Sequence, residues 1–316
     1  MTRARLAARS SVSSLALANV ADRIRPRRTF RTFTLELYVR PQRASATGLA
    51  FKAEEIEELA DVYFFRPLGM VLARAARALR LSPTQVTLAG AVVGVAGGAL
   101  LYEPGLGVLA FGLLILHGIL DSSDGQLARM TGRVTELGRL LDGVGGYVTH
   151  AAIYLAVIAR DGSPTIVLWA VAAGLANILH AQMYDYHRTA YTAYAIHGEA
   201  LPSAVGKPHG GILGMYETMQ RLIAGRHPEV ERQLAARADH GRISEHDRDR
   251  YRACFYRPVR GWNLMGDNVR RLSIALAAWF QRPEWFIVAE LVPLNVAFVV
   301  LWWVQRRADT RFLRAA

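Results

Sequence analysis

Asp121-Ser122-Ser123-Asp124-Gly125-Gln126-Leu127-Ala128-Arg129, followed by Gly138, Asp142 and Gly146, is the stretch that decides how this chain is read. It closes an apolar run with two carboxylates and an arginine, and a third carboxylate follows. A carboxylate near a membrane midplane costs about 2.5–3.5 kcal/mol on insertion scales, less toward the interface, so it is seldom idle. Asp121 and Asp124 are three apart and share a helix face, with Gly125 and Ala128 leaving room beside them for a bulky anion. Gly138, Asp142 and Gly146 recur at four-residue steps, which gives a second helix one face with a carboxylate flanked by glycines. The connection Met130–Leu137 folds the two helices antiparallel and brings those faces together. Hard oxygen donors of this kind suit Mg²⁺ or Mn²⁺ and, through the cation, phosphate. Arg129 can hold a phosphate with its planar fork. The competing reading makes Asp121 and Asp124 mere helix caps, and it leaves Asp142 and the registered glycines without a reason.

Composition sets the surroundings of this motif. The chain has 316 residues, 52% hydrophobic, with mean hydropathy +0.15. That is too apolar for an ordinary soluble protein and fits several membrane spans. The net charge is +12, and Lys52 and Lys207 are the only lysines, so arginine carries the basic charge. With apolar spans beside it, that charge points to lipid headgroups and the positive-inside rule, not to nucleic acid. Cys254 stands alone, so an intrachain disulfide is impossible.

The pattern predicts an all-α integral membrane protein with about six transmembrane helices, preceded by an amphipathic interfacial helix. Residues 1–52 hold ten arginines against Asp22 and Glu36 as the acids. This reads as a disordered basic tail or as an organelle transit segment. Residues 53–81 read as the interfacial helix, with Glu54, Glu55, Glu57 and Glu58 leading and Arg74, Arg77 and Arg80 closing. Ser82-Pro83 is a helix start. Four spans follow within 82–185, at 84–102, 106–128, 138–159 and 164–184. A polar segment covers 186–264, two more spans are expected at 265–281 and 286–304 within 265–305, and 306–316 is a basic tail. The connections on one side carry Arg160 and Arg282 as their basic residues, so the arginine-rich side, which holds the carboxylates, is the cytoplasmic one.

The histidines of the polar segment (His187, His197, His209, His227, His240, His246) match no ligand spacing and read as solvated surface. His117, four before Asp121, is either a partner of that carboxylate or a buried histidine satisfied by backbone. His150, four past Gly146, is a candidate proton acceptor or a packing residue. Arg270 and Arg271, opening the fifth span after Asp267 and Asn268, either bind an acceptor phosphate or flank the membrane. Glu290 and Asn295 require partners inside the bundle. Paired broken helices, the mark of a transporter, are not evident in the spans.

At these residues the chain resembles the CDP-alcohol phosphotransferase family. The signature D-x2-D-G-x2-A-R-x8-G-x3-D-x3-D is matched by Asp121, Asp124, Gly125, Ala128, Arg129, Gly138 and Asp142, seven of eight fixed positions. Ser82-Pro83-Thr84-Gln85-Val86-Thr87 is similar to the family's opening of its first span, with threonine at the asparagine place. The resemblance runs over about 60–310. It implies transfer of a phosphoalcohol from a CDP-linked donor to an acceptor alcohol with release of CMP, in phospholipid or polar-headgroup synthesis. It implies Asp121, Asp124 and Asp142 as ligands of Mg²⁺ or Mn²⁺. Gly125 and Arg129 would face the diphosphate, Thr87 and Thr135 the nucleotide. It also implies a homodimer among membrane lipids, in a multi-pass inner membrane of bacterial kind with the site facing the cytoplasm. The departure is Gly146, which stands where the family places its general base. The alternative is therefore a CDP-lipid-binding protein that has lost turnover.

Overall fold

The computed structural model describes residues 54–201 and 218–315. The basic tail expected over 1–52, together with Lys207 and His209, lies outside the described residues. Described residues form no strand, and besides a helical stretch over 218–223, ten helices carry the fold. These are α1 Arg66–Ala78, α2 Pro83–Ala99, α3 Gly107–Thr131, α4 Glu136–Asp161, α5 Pro164–Tyr191, α6 His227–Arg237, α7 Glu245–Trp262, α8 Asp267–Trp279, α9 Glu284–Ala289 and α10 Asn295–Arg314. A π-helical turn, Glu290–Leu294, joins α9 to α10, with Pro293 inside it. Proline has no N–H to give the ladder, which accounts for the local widening.

Five helical stretches are long and apolar enough to cross a membrane: Pro83–Tyr102, Gly107–Thr131, Leu140–Asp161, Pro164–His197 and Glu284–Arg314. Their outward faces are apolar, with Val92, Leu155, Leu168 and Leu175 all mostly exposed, while the seams are lined by small residues. That distribution is what a lipid solvent selects. The protein is an integral membrane protein of helical class. Local signals explain the helix ends. Ser82 caps α2 and Gln85 returns the bond to it, a complete capping box with Pro83 in the first turn. Ser163 caps α5 by accepting from Ile166 N, with Pro164 in the first turn.

Two expectations are corrected, and the fifth expected span is short. The fifth span is a 13-residue helix, α8. At 1.5 Å per residue it reaches only about 20 Å, short of a ~30 Å hydrocarbon layer. Gly266, in extended conformation, starts it, and the Gln281-Arg282-Pro283 turn stops it. The segment 53–81 is not one helix. It opens on a 3₁₀ turn, Glu54–Ile56, and a π turn, Asp61–Phe65, before α1 begins. Glu57 and Glu58 are buried instead of heading a helix in water. Arg188 and Arg66 draw Glu57 in, at 2.7 and 3.1 Å, and Tyr184 Oη donates to Glu58 Oε1 at 2.7 Å. Finally, His187 and His227 are buried, not solvated. The amphipathic reading of α1 stands: Leu68, Val71, Arg74 and Arg77 face outward, and Ala73 and Ala76 pack inward with Val86 and Leu127.

The far end of the bundle is closed by side chain to backbone bonds. Arg160 donates to the carbonyls of Leu101 and Gln281, and Gln281 Oε1 accepts from Gly105 N. Apolar packing of Leu101, Ala110, Leu114, Ile153, Ile166, Ile274 and Ile287 fills the middle. The polar groups gather at the opposite end, where α2 and α4 start, α3 and α5 end and α8 begins.

Candidate active site

The site grows from the last turns of α3. Asp121 and Asp124 share a side of the helix but diverge in surroundings. Asp124 is 6% exposed, and Thr87 Oγ1, on the second turn of α2, donates to its Oδ2 at 2.5 Å. Thr87 also donates to Pro83 O. Asp121 opens instead onto a cavity of about 320 Å³, walled also by Asp142, Gly146, His150, Asp267 and Arg271. α3 thus directs one carboxylate toward α2 and the other toward the cavity.

Arg271 ties the opposite wall to this carboxylate. Its Nη2 donates to Asp121 Oδ2 at 3.0 Å and to Asp267 Oδ2 at 2.5 Å. The guanidinium lies 5.2 Å from the centre of the Phe65 ring. Its path across α3 runs over Gly118, where a Cβ would come within 2.7 Å of Arg271 Cδ and 2.6 Å of Phe65 Cε1. A hydrogen at that position is what lets the arginine reach Asp121.

Asp142 and Gly146 lie on α4, whose start is fixed by Thr135: its Oγ1 accepts from Gly138 N at 3.0 Å. A Cβ at Gly146 would meet nothing within 4 Å, so this position opens into free space. One turn on, His150 Nδ1 bonds Gly146 O at 3.0 Å, and its Nε2 stands 3.8 Å from Asp267 Oδ1.

Of the residues singled out from the sequence, the cavity gathers His117, Asp121, Asp142, Gly146, His150, Arg270 and Arg271. Asp124, Gly125, Arg129, Thr87 and Thr135 lie outside its lining. Thr87 holds Asp124 and Thr135 caps α4. Arg129 folds along its own helix, so that a Cβ at Gly125 would lie 3.3 Å from its Nη1. Arg270 is committed inside the bundle, with Nε on both Glu290 oxygens at 3.3 and 3.2 Å and Nη1 on Met265 O. Glu290 also meets His180 Nδ1 at 2.9 Å, and Asn295 meets His180 Nε2 at 3.1 Å. These are the partners that two polar residues in the last span required. His117 Nδ1 bonds Gly90 O at 2.9 Å, so of its two readings the backbone-satisfied one holds. Asp267 is the site residue that sequence reasoning passed over. In sequence it is only a neighbour of the arginines, and its carboxylate becomes relevant once α8 packs against α3.

Among the described residues no group of three His, Cys, Asp or Glu side chains is drawn together closely enough to hold a metal ion. The donor set is nonetheless of the right kind for a hard divalent cation: carboxylate oxygens on two facing helices, two of them open to one cavity. In the present arrangement Arg271 supplies the positive charge at Asp121.

Searches of curated proteins and of solved structures returned no match. Residues 80–215 match the family model of the CDP-alcohol phosphatidyltransferases, a stretch that contains Thr87, the three aspartates and Gly146 and stops short of Asp267. With this match joined to the carboxylate-walled cavity at the polar end of the bundle, the chain carries a CDP-alcohol phosphatidyltransferase domain over residues 80–215.

Proposed function

We propose that this protein transfers a phosphoalcohol group from a CDP-alcohol to an acceptor hydroxyl and releases CMP, in the synthesis of a membrane phospholipid or polar headgroup. The observation that carries the reading is that Asp121 and Asp142, from two different helices of the matched domain, open onto one cavity at the polar end of the bundle. Carboxylate oxygens from two helices facing one cavity are the donors that a divalent ion carrying a diphosphate takes.

Asp121, Asp124 and Asp142 would hold Mg²⁺ or Mn²⁺, whose charge would neutralise the diphosphate and the leaving CMP. The chain's own groups do the positioning. Thr87 orients Asp124 through its 2.5 Å bond. Gly125 and Arg129 would meet the diphosphate from the end of α3, with Thr87 and Thr135 near the nucleotide. Arg271, bonded to two carboxylates at once, can turn to an acceptor's phosphate or headgroup; Arg270, anchored on Glu290, backs the same wall. The acceptor stays open in class: glycerol phosphate, inositol phosphate, serine, choline or a lipid hydroxyl. In this reading the site faces the cytoplasm, which the arginine-rich side supports, in a bacterial inner membrane, and the family resemblance favours a homodimer.

A second reading has a specific observation behind it. Position 146 offers no carboxylate, and Arg271 already neutralises Asp121, an arrangement suited to binding a CDP-lipid without turnover. Purified protein in detergent, given Mg²⁺ and a panel of CDP-alcohols with these acceptors, is expected to release CMP. No CMP from any pair, alongside an active Gly146→Asp variant, would overturn the transferase reading and leave the binding one.

A further inference from the structure

His150 and Asp267 meet in the cavity wall beside the open space at Gly146, and nothing in the matched domain accounts for their pairing. Gly146 O can only accept, so the 3.0 Å contact assigns the proton to His150 Nδ1. In the neutral ring Nε2 then carries a lone pair. That nitrogen is buried and has no hydrogen-bond partner. Facing it is Asp267 Oδ1 at 3.8 Å, too far for a bond between them. Asp267's other oxygen is fixed by Arg271, and Arg271 is fixed on Asp121. The imidazole is therefore set by a backbone carbonyl on one side. The carboxylate beyond its other nitrogen is held from α8 by the same arginine that grips the α3 carboxylate.

Resting on the transferase reading above, we infer that His150 takes the proton of the acceptor hydroxyl and that Asp267 steadies the resulting charge, in place of a carboxylate at position 146. In that step the hydroxyl proton passes to His150 Nε2. The acceptor oxygen bonds the phosphorus of the donor's phosphoalcohol group, and the bond from that phosphorus to the bridging oxygen of CMP breaks. The electron pair leaves with CMP. The imidazolium formed has Asp267 Oδ1 near the nitrogen that gained the proton, a charge that stabilises it, while Gly146 O holds the ring at the other nitrogen. His150 is the group that touches the acceptor. Asp267 acts through it as a positioning residue, supplied from outside the matched stretch.

The test uses the full chain in detergent with Mg²⁺, the donor and acceptor it turns over, and CMP itself as a calorimetric probe of the nucleotide site. His150→Gln is expected to lower kcat by about 10²–10⁴-fold, the usual worth of a general base. Asp267→Asn should lower kcat by less. Donor KM and CMP affinity should be unchanged in both. Gly146→Asp placed in either background is expected to recover part of the lost kcat, since its side chain enters open space. Wild-type kcat in both single variants overturns the pairing. So does loss of CMP affinity in both, which would mark the two residues as part of the scaffold, or failure of Gly146→Asp to rescue either. Wild-type protein that binds CMP without turnover also overturns the pairing while the nucleotide site stands. Wild-type protein that neither binds nor releases CMP refutes the transferase reading itself.

Discussion

Two of the histidine–aspartate pairs in this molecule differ in a way that separates what builds the protein from what it does. His227 Nδ1 meets Asp309 Oδ1 at 2.8 Å, with side chains 1% and 0% exposed. Its Nε2 is taken by Tyr251 Oη at 3.0 Å, and Gln305 Nε2 adds a bond to Asp309. The rings of Phe255 and His187 close around it, with centroids 4.9 and 5.1 Å away. Both ring nitrogens are spent, and the pair fastens α6, α7 and α10 to one another. His150 and Asp267 are 3.8 Å apart and 24% and 53% exposed, with one ring nitrogen unspent. A closed pair of this kind carries stability, and an open one beside a cavity is free to meet a ligand.

The sharpest way to break the comparison is at the cavity itself. Asp142→Asn is expected to lower CMP release by at least about 10²-fold, as removal of a preorganised electrostatic partner does, while the detergent melting temperature stays put. A melting point that falls with activity would make the two regions alike.

Next in size is the closed pair. Asp309→Asn should destabilise the protein by about 3–5 kcal/mol, the cost of stripping one partner from a buried charge pair, with little effect on kcat of the folded fraction. Burial pulls the His227 imidazole down, but the Asp309 carboxylate outweighs it and holds the ring above its ordinary value. A group raised in the folded state stabilises fully below its unfolded value, and that contribution fades as pH climbs past the raised one. The melting deficit of Asp309→Asn should therefore narrow at alkaline pH; a pH-independent deficit would reassign the pair to neutral hydrogen bonding.

The smallest effect sharpens the boundary between the regions. Glu58 is bonded to Tyr184, whose side chain also borders the cavity. Burial pushes the Glu58 carboxyl up to about 7, against which the Tyr184 bond works only in part. The folded state keeps this proton at pH values where the unfolded chain has lost it. The stabilisation is complete below the ordinary carboxylate value and is lost as pH rises through about 7. Glu58→Gln mimics the protonated form, so it should come close to wild type in melting at pH 4 and exceed it at pH 8, by about 1–3 kcal/mol from a shift of this size. Equal melting at both would show that the carboxyl ionises freely.

Much of the molecule was legible in the chain because it is written in local rules. Ser82-Pro83 and Ser163-Pro164 mark helix starts by capping chemistry that needs no distant partner. Four apolar runs from 84 to 184 and one from 286 to 304 announce their spans by length. The Asp121–Asp142 spacing places carboxylates on two facing helix surfaces. The failures share a cause. Glu57, Glu58, His187 and His227 look solvated in sequence, and each is buried by a partner far along the chain: Arg188, Tyr184, Trp262 stacked on His187, Asp309. A polar residue whose partner is remote carries no local sign of burial. The fifth expected span shows as the 13-residue helix α8, whose polar start and short apolar run give a length signal little to act on.

By itself the sequence determined the helical membrane class, the positions of the long helices and the aspartates that the matched domain brings to one end of the bundle. These follow from periodicity, apolar length and spacing, all of which are read along the chain. Tertiary structure alone decided which carboxylates share a cavity, that Thr87 holds Asp124 while Thr135 only caps a helix, and that Asp267 faces His150 across the space at Gly146. Those facts depend on α8 packing against α3, through a contact in which Arg271 crosses Gly118. Spacing along one helix says nothing about which distant helix will lie against it.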